Sequence, residues 1–350
     1  MTGQEAAGAV EVIRVYIKEL IRGLQIQRQN RRLRNQGVLL MILVAGSANL
    51  DFVVRAHHIP APGETVLGRD FQTFPGGKGA NQAVACARAG GAVTHMLLGL
   101  GQDAFATPLE NSLQSAGVHM HVVRTPEYPT GTAFICVSDD AENAITVAPG
   151  ANAELRAEHL PPLAGFTHLL LQLETPLDTV TAYARAARAQ GVQVVLNAAP
   201  ARSLPTELLS HVDVLVVNEG ELAVVSGHDG SIAECLARLD VPTVVVTLGH
   251  RGSCARHNGA FALQSAFPIT PVDTTGAGDT FCGSLVAALS HGQPLPLALR
   301  FASAASAIAC TRWGAQSSIP ANTEVDALLA STPSTNAEDA QALRAFCGLS

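Results

Sequence analysis

With 350 residues, 47% of them hydrophobic, and a net charge of −7, the chain is long enough for a sizeable α/β core and too apolar for global disorder. Residues 1–40 hold seven basic and three acidic side chains, which leaves −11 on the remainder. An acidic body with few aromatics argues against a nucleic-acid partner, which needs a basic face, and the seven cysteines without a CxxC pair read as buried thiols of a reducing cytoplasm.

Arginines at 28–34 precede VLLMILVAGSA (38–48), an order that mimics a signal peptide. The apolar run is too short to cross a bilayer, and it also reads as a buried strand over 41–47. The strand suits the alternation that follows and makes 1–40 an N-terminal extension, with Met41 as an alternative start. Within the extension VEVIRVYIKELIRGLQIQ has helical apolar spacing, compatible with a surface or partner-binding helix.

The stretch at about 50–75 is punctuated by Gly and Pro and carries short β pieces. GGKGANQAVACARAGG then reads as a glycine turn opening a small-residue helix. VTHMLLGLG is strand-like, ATPLENSLQSAG helical and VHMHVVR strand-like again; GTAFICVSDD and NAITVAP follow as two β segments around a polar turn. From there the apolar runs HLLLQL, VQVVLN, VDVLVVN and PTVVVTLG alternate with helical stretches, and helices over 277–291 and 295–312 complete the pattern. STPSTNAEDAQ reads as a solvated linker or tail. The predicted fold is α/β: a doubly wound, mostly parallel sheet with helices on both faces over 41–330, and a tail over 331–350. The pieces at about 50–75 and 128–148 break the alternation and are expected to pair as a small separate sheet.

Ligands of open α/β sheets bind at the carboxyl ends of the strands. That directs attention to Asn49 and Asp51, Glu174, Asn197, Asn218 and Glu221, and Thr247 and Gly249. Neither a GxxxxGK[ST] loop nor a GxGxxG after the first strand is present. GAGD (276–279) can bind an anion through backbone N–H groups at a helix start, with Asp279 placed as a base, or it is a plain helix cap. GGKGANQA (76–83) offers donors at Lys78 and Asn81, or it is a turn before a helix. NLD (49–51) suits a polyol, or is a turn. The histidines lack metal-ligand spacing.

Taken in order along the chain, GGKGANQAVACARAGG, LQLETP, LNAAPAR, VNEGE, TLGHRG and DTTGAGDTFCGSL resemble the PfkB family of ATP-dependent carbohydrate kinases, and within it the ribokinases. The resemblance runs from about Met41 to about Leu329. It implies phosphorylation of D-ribose at its 5-hydroxyl by ATP with Mg²⁺, and K⁺ as activator. It places Asn49, Asp51, Gly77, Lys78, Gly79, Ala80, Asn81 and Glu174 at the sugar. Asp279 is then the general base, with Gly276, Ala277 and Gly278 joining it in the anion hole. The nucleotide side is implied to hold Asn218, Glu221, Thr247, Leu248, Gly249, His250, Arg251, Gly252, Gly278, Asp279 and Ser303. Ser303 stands where some ribokinases place a histidine, and it can hydrogen-bond but not stack. Asp273, Thr275, Ala309, Arg312, Gly314 and Ser318 fall in the family's monovalent-cation loop. The small sheet matches the family's lid, through which a homodimer is implied, with no nucleic-acid or membrane partner. Another sugar, such as 2-deoxyribose or a phosphofructose-type substrate, and a non-catalytic sugar-binding role stay open as alternatives.

Overall fold

The computed structural model describes residues 40–140, 142–332 and 337–349. Apart from Leu40, the expected extension 1–40 and its apolar helical segment lie outside the described residues.

The first strand, β1 (Met41–Ala45), lies inside the main sheet, and nearly every side chain of MILVA is buried on its two faces. Its parallel neighbours are β4 (Val93–Gly101) and β8 (Phe166–Leu171). Beyond β4 lies β5 (His119–Thr125); beyond β8 follow β9 (Gln193–Asn197), β10 (Val214–Asn218) and β11 (Thr243–Thr247), all parallel. The edge after β11 is an antiparallel hairpin, β12 (Gly252–His257) and β13 (Ala260–Ser265), giving nine strands in all. The sequence reading lacked this hairpin. Its turn is Asn258-Gly259, both at positive φ, which is the two-residue turn whose twist matches the strands it joins.

Strand alternation divides the core. Ile42 and Val44 point into one apolar cluster and Leu43 and Ala45 into the other. The first cluster is roofed by α1 (Lys78–Arg88), with α2 (Ala106–Ser115) beside it. On the second face lie α3 (Leu177–Ala189), α4 (Thr206–Ser210), α5 (Glu219–Ser226) and α6 (Ile232–Ala237). The first roof is completed by α7 (Ala277–Ser290) and α8 (Leu295–Ala309), followed by α9 (Asn322–Ser331). Gly283 of α7 lies so close to α1 that a Cβ there would come within 2.4 Å of the Gln82 carbonyl oxygen. Only glycine permits that approach, and it brings the first turns of α1 and α7 side by side.

The second sheet is separate, as expected. It comprises β2 (Asn49–Arg55), β3 (Arg69–Gly76), β6 (Gly131–Val137) and β7 (Asn143–Ala148), in the order β3-β2-β6-β7. It leaves the main sheet directly after the carboxyl end of β1 and so stands over the mouth where the chain switches sides. The part of the supposed solvated tail that is described differs from expectation. Residues Ala337–Phe346 form α10, which docks by burying Leu343, and Cys347 just beyond it is also buried. Its polar composition hid an apolar pair at helical spacing. Among the described residues no helix is long and apolar enough to cross a membrane.

Candidate active site

At the start of α7 the residue before the helix is Gly276, in left-handed conformation with φ 73° and without a side-chain cap. A Cβ on Gly276 would meet Ala315 Cα at 3.0 Å, so the loop after α8 packs directly behind this turn. The Thr280 N–H is satisfied by the Gly276 carbonyl at 2.8 Å, and Ala277 N–H by Thr274 at 3.2 Å. The N–H groups of Gly278 and Asp279 meet no acceptor among the described residues, and beside Gly278 the space for a side chain is open. A plain cap by Asp279 is therefore excluded. Two free donors at the positive end of a helix form an anion cradle.

Asp279 itself is buried, 9% exposed, in the first turn of α7. Asn81 Nδ2 donates to its Oδ2 at 2.9 Å and Gln82 Nε2 to its Oδ1 at 2.8 Å. Both donors come from the first turn of α1, across the contact Gly283 allows. Each carboxylate oxygen keeps a further lone pair for an incoming hydroxyl proton. Asn81 is steadied in turn by Gln316 Nε2 at 3.1 Å.

On the side where a sugar is expected, Glu174 Oε2 accepts from Ser47 Oγ at 2.5 Å and from the Lys78 N–H at 3.1 Å. Asn49 Oδ1 accepts from Asn152 Nδ2 at 2.8 Å, and Asn152 also grips the Ala48 backbone on both its N–H and its carbonyl. Asp51, two residues on along β2, shares the face of Asn49. Burial, reinforced by the charges of Glu174 and Asp279, pushes its pKa up to about 7. Burial works against the charge of Lys78, but Asp279, Glu174 and Glu221 together hold its pKa above the ordinary value. Gly79 and Ala80, expected at the sugar, are tightly packed. A Cβ on Gly79 would strike the Gly46–Ser47 backbone at 2.7 Å, and Ala80 lies in the core.

Lys78, Asn197, Asn218, Glu221, Thr247, Gly276, Gly278 and Asp279 share a cavity of about 160 Å³. Asn218 and Glu221 form a capping box at the start of α5: Asn218 Oδ1 accepts from Glu221 N–H and Glu221 Oε2 from Asn218 N–H, both at 2.8 Å. Burial raises the Glu221 pKa, opposed by the Asn218 amide and Lys78. A larger cavity of about 880 Å³ adjoins at Gly278 and Thr247 and takes in Gly249, His250, Arg251, Gly252, Ala277 and Ser303. Leu248 is the exception among the expected nucleotide residues, since its side chain is buried in the core.

Behind the anion cradle the segments around 273 and 310–318 are joined. Val272 N–H donates to the Cys310 carbonyl at 2.8 Å, and Asp273 accepts from Thr275 N–H and Gly314 N–H, both at 2.9 Å. Burial opposes the Asp273 charge, but these amides and Arg55 bring its pKa below the ordinary value. The Arg312 guanidinium is turned onto Glu324 at 3.3 Å. Ser318 is buried and donates to the Ala315 carbonyl at 2.8 Å.

The sequence reading assigned no role to Ser47, Gln82, Asn152, Gln172 or Gln316. Gln82 was within reach: it is the polar residue next to Asn81 in an otherwise small, apolar helix start. Asn152 and Gln316 had no local signal.

The sequence profile described as pfkB family carbohydrate kinase matches residues 39–322. A ribokinase of Haemophilus influenzae is 38% identical over 295 residues, covering 81% of this chain and 96% of its own length. Among solved structures, a ribokinase from Thermotoga maritima superposes with a TM-score of 0.77 at 37% identity, over 83% of this chain and 99% of its own. The Arabidopsis thaliana ribokinase complexed with ribose and ATP gives 0.76 at 33% identity, over 84% of this chain and 100% of its own.

Proposed function

The chain belongs to the pfkB family of carbohydrate kinases, and from that premise we propose that it transfers the terminal phosphoryl group of ATP to the 5-hydroxyl of D-ribose, giving D-ribose 5-phosphate and ADP. The observation that carries this reading is the position of Asp279. One buried carboxylate is held by two amides beside two free helix-start N–H groups, where a turn lined by carboxylate and amide groups meets a large cavity. A hydroxyl attacking phosphorus must lose its proton, and Asp279 is placed to take it as general base. Gly278 and Asp279 N–H groups, with the helix dipole and the Lys78 charge, stabilise the negative charge spread over the transferring group.

Asn49, Asp51, Asn81 and Glu174 orient the sugar, with Gly77 and Lys78 closing the turn beneath it. Mg²⁺, brought by ATP as such ions commonly are, would lie on the Asn218–Glu221 side and neutralise phosphate oxygens. The loop of Asp273, Thr275, Ala309, Arg312, Gly314 and Ser318 fits K⁺. An ionised carboxylate and backbone oxygens suit a hard monovalent cation, and the packing of Ala315 on Gly276 lets that loop shape the anion cradle. The small sheet acts as a lid that excludes water, which favours transfer to sugar over hydrolysis of ATP. Ile145 and Val147 continue the Asp51 side of this sheet and are exposed, which supports a homodimer paired through the lid.

ADP release measured across ribose, 2-deoxyribose, fructose 6-phosphate and fructose, each with and without K⁺, tests the proposal. Ribose should give the highest kcat/KM, and K⁺ should raise it. Preference for a phosphorylated sugar, or ribose binding without ADP formation, would overturn it.

A further inference from the structure

The 880 Å³ cavity has one wall that the family match does not reach. That match ends at residue 322, whereas Ala342, Leu343 and Phe346 of α10 line the cavity together with Phe267, Ile269 and Phe281. Leu343 and Phe346 lie three positions apart and so share one face of the helix. Leu343 is 4% exposed and locks the helix to the core, while Phe346, 40% exposed, presents its ring at the cavity. The guanidinium of Arg251, from the opposite rim, lies 4.2 Å from the centre of that ring, within cation–π range.

The helix is firmly anchored where it matters. Ala233 N–H donates to the Cys347 carbonyl at 3.0 Å, and the Cys347 thiol is fully buried. Phe346 therefore sits between the buried Leu343 and Cys347, with Arg251 over its ring, rather than at a fraying end. The phosphates of a nucleotide must reach the free N–H groups at Gly278, which lies at one end of this cavity. Its base is then directed along the cavity, between apolar walls, and a flat heteroaromatic ring finds there an aromatic surface to stack on. The helix takes no part in the smaller cavity that holds Asp279.

We propose that helix Ala337–Phe346 is the closing wall of the nucleotide site, with Phe346 and Leu343 meeting the purine base of the phosphoryl donor. This rests on the reading of the large cavity as the site of ATP. The helix thus sets nucleotide affinity while leaving sugar binding to Asn49, Asp51 and Glu174.

Steady-state kinetics with ATP varied at saturating ribose, and calorimetric titration with ADP in the absence of sugar, test this on Phe346→Ala, Phe346→Tyr and a chain ending at Thr332. Phe346→Ala should raise the ATP KM and the ADP Kd about five- to tenfold, a loss in the range of one base–aromatic contact. Phe346→Tyr should stay within about twofold, since it keeps the ring. The ribose KM should not move in either. The shortened chain should lose at least as much nucleotide affinity; because it also uncovers core residues, Phe346→Ala carries the decision. Nucleotide constants unchanged in Phe346→Ala, or an equal rise in the ribose KM, would overturn the inference. A parent chain that binds ADP through Phe346 yet phosphorylates no ribose would leave this wall standing and remove the sugar-kinase reading. An active ribose kinase whose ADP affinity ignores Phe346 would do the reverse.

Discussion

Gln82 donates through Nε2 to Asp279 Oδ1 at 2.8 Å, joining two residues 197 positions apart in the chain. The same nitrogen lies 2.9 Å from Asn197 Oδ1, and Gln82 Oε1 accepts from Gln172 Nε2 at 2.6 Å. The proposed base is thereby registered against the carboxyl ends of β8 and β9 by one fully buried amide. Gln82 is a positioning residue, and Gln82→Leu should lower kcat about 10- to 100-fold through misplacement of the carboxylate. The ribose KM should change far less. Orphaned partners should cost about 1–3 kcal/mol of stability, read by urea unfolding. An unchanged kcat in a variant destabilised by that amount would reduce Gln82 to a structural role.

Asp279→Asn keeps the shape and one acceptor oxygen for Asn81 or Gln82, sets an amide donor against the other, and cannot take a proton. Turnover should fall by about 10²–10⁴-fold, the range general-base catalysis supplies. Ribose affinity by calorimetry should stay within a fewfold of the parent. Near-normal turnover would sink the assignment of the base.

Gly276→Val meets two obstacles, a left-handed φ of 73° and the Ala315 backbone at 3.0 Å from the first added carbon. Backbone strain should cost about 1–3 kcal/mol. The displaced cradle should also lower kcat, by up to about 10²–10³-fold if both N–H donors move. The contact between Gly276 and Ala315 further predicts that kcat in this variant no longer responds to K⁺. A response of parental size would separate the cation loop from the cradle.

Much of this site could be read from the chain because its parts sit where local rules put them. GAGD opens a helix, NEGE caps one, and polar residues follow apolar strands, so Asp279, Asn218 and Glu221 have a place written in the sequence. The parallel strands were legible for the same reason: runs such as VLVVN are buried on both faces and carry no alternation to confuse them. What escaped was long-range. Asn152 reaches back to Ala48 and Asn49 from beyond the lid, and Gln316 reaches Asn81 across 235 positions, with nothing local to mark either. Leu248 and Ala80 stand inside the singled-out motifs, yet their side chains turn into the core, which the motif pattern alone does not mark. The β12–β13 hairpin was a different kind of miss, since its Asn-Gly turn is a signal written in the sequence.

Asp51 ties pH to both stability and binding. Its folded pKa of about 7 lies above the ordinary carboxylate value of 3.8 expected on unfolding. Between those values the folded state binds more protons than the unfolded one, so this group's contribution to stability falls as pH rises toward 7. Asp51→Asn should therefore unfold less readily than the parent at pH 8, by roughly 1–2 kcal/mol, with the difference vanishing near pH 4. The same variant should raise the ribose KM about 10- to 100-fold by removing charged hydrogen bonds to the sugar. In the parent the ribose KM should improve as pH rises through 7. A variant less stable than the parent at pH 8 would show that Asp51 is not strained by its burial.

Acid should weaken the fold through two histidines remote from the site. His168 is buried in β8, and burial lowers its pKa to about 4; Gln193 works against that shift and His291 with it. His95 is lowered to about 4 by burial and by His119 and His121, whose rings lie 4.7 and 5.3 Å from its own. In the unfolded chain each binds its proton near pH 6.5. From there down to about pH 4 the unfolded state holds more protons, so stability present above pH 6.5 is lost as pH falls through that window. For the buried His168 the full loss approaches about 3 kcal/mol. Thermal midpoints measured from pH 7.5 to 4.5 should drop steeply in the parent and less steeply in a His95→Phe, His168→Gln double variant. Phenylalanine suits the first position because His95 already packs edge-on against Phe166 at 5.1 Å. Parallel curves for the two proteins would place the acid sensitivity elsewhere, on groups these imidazoles do not share.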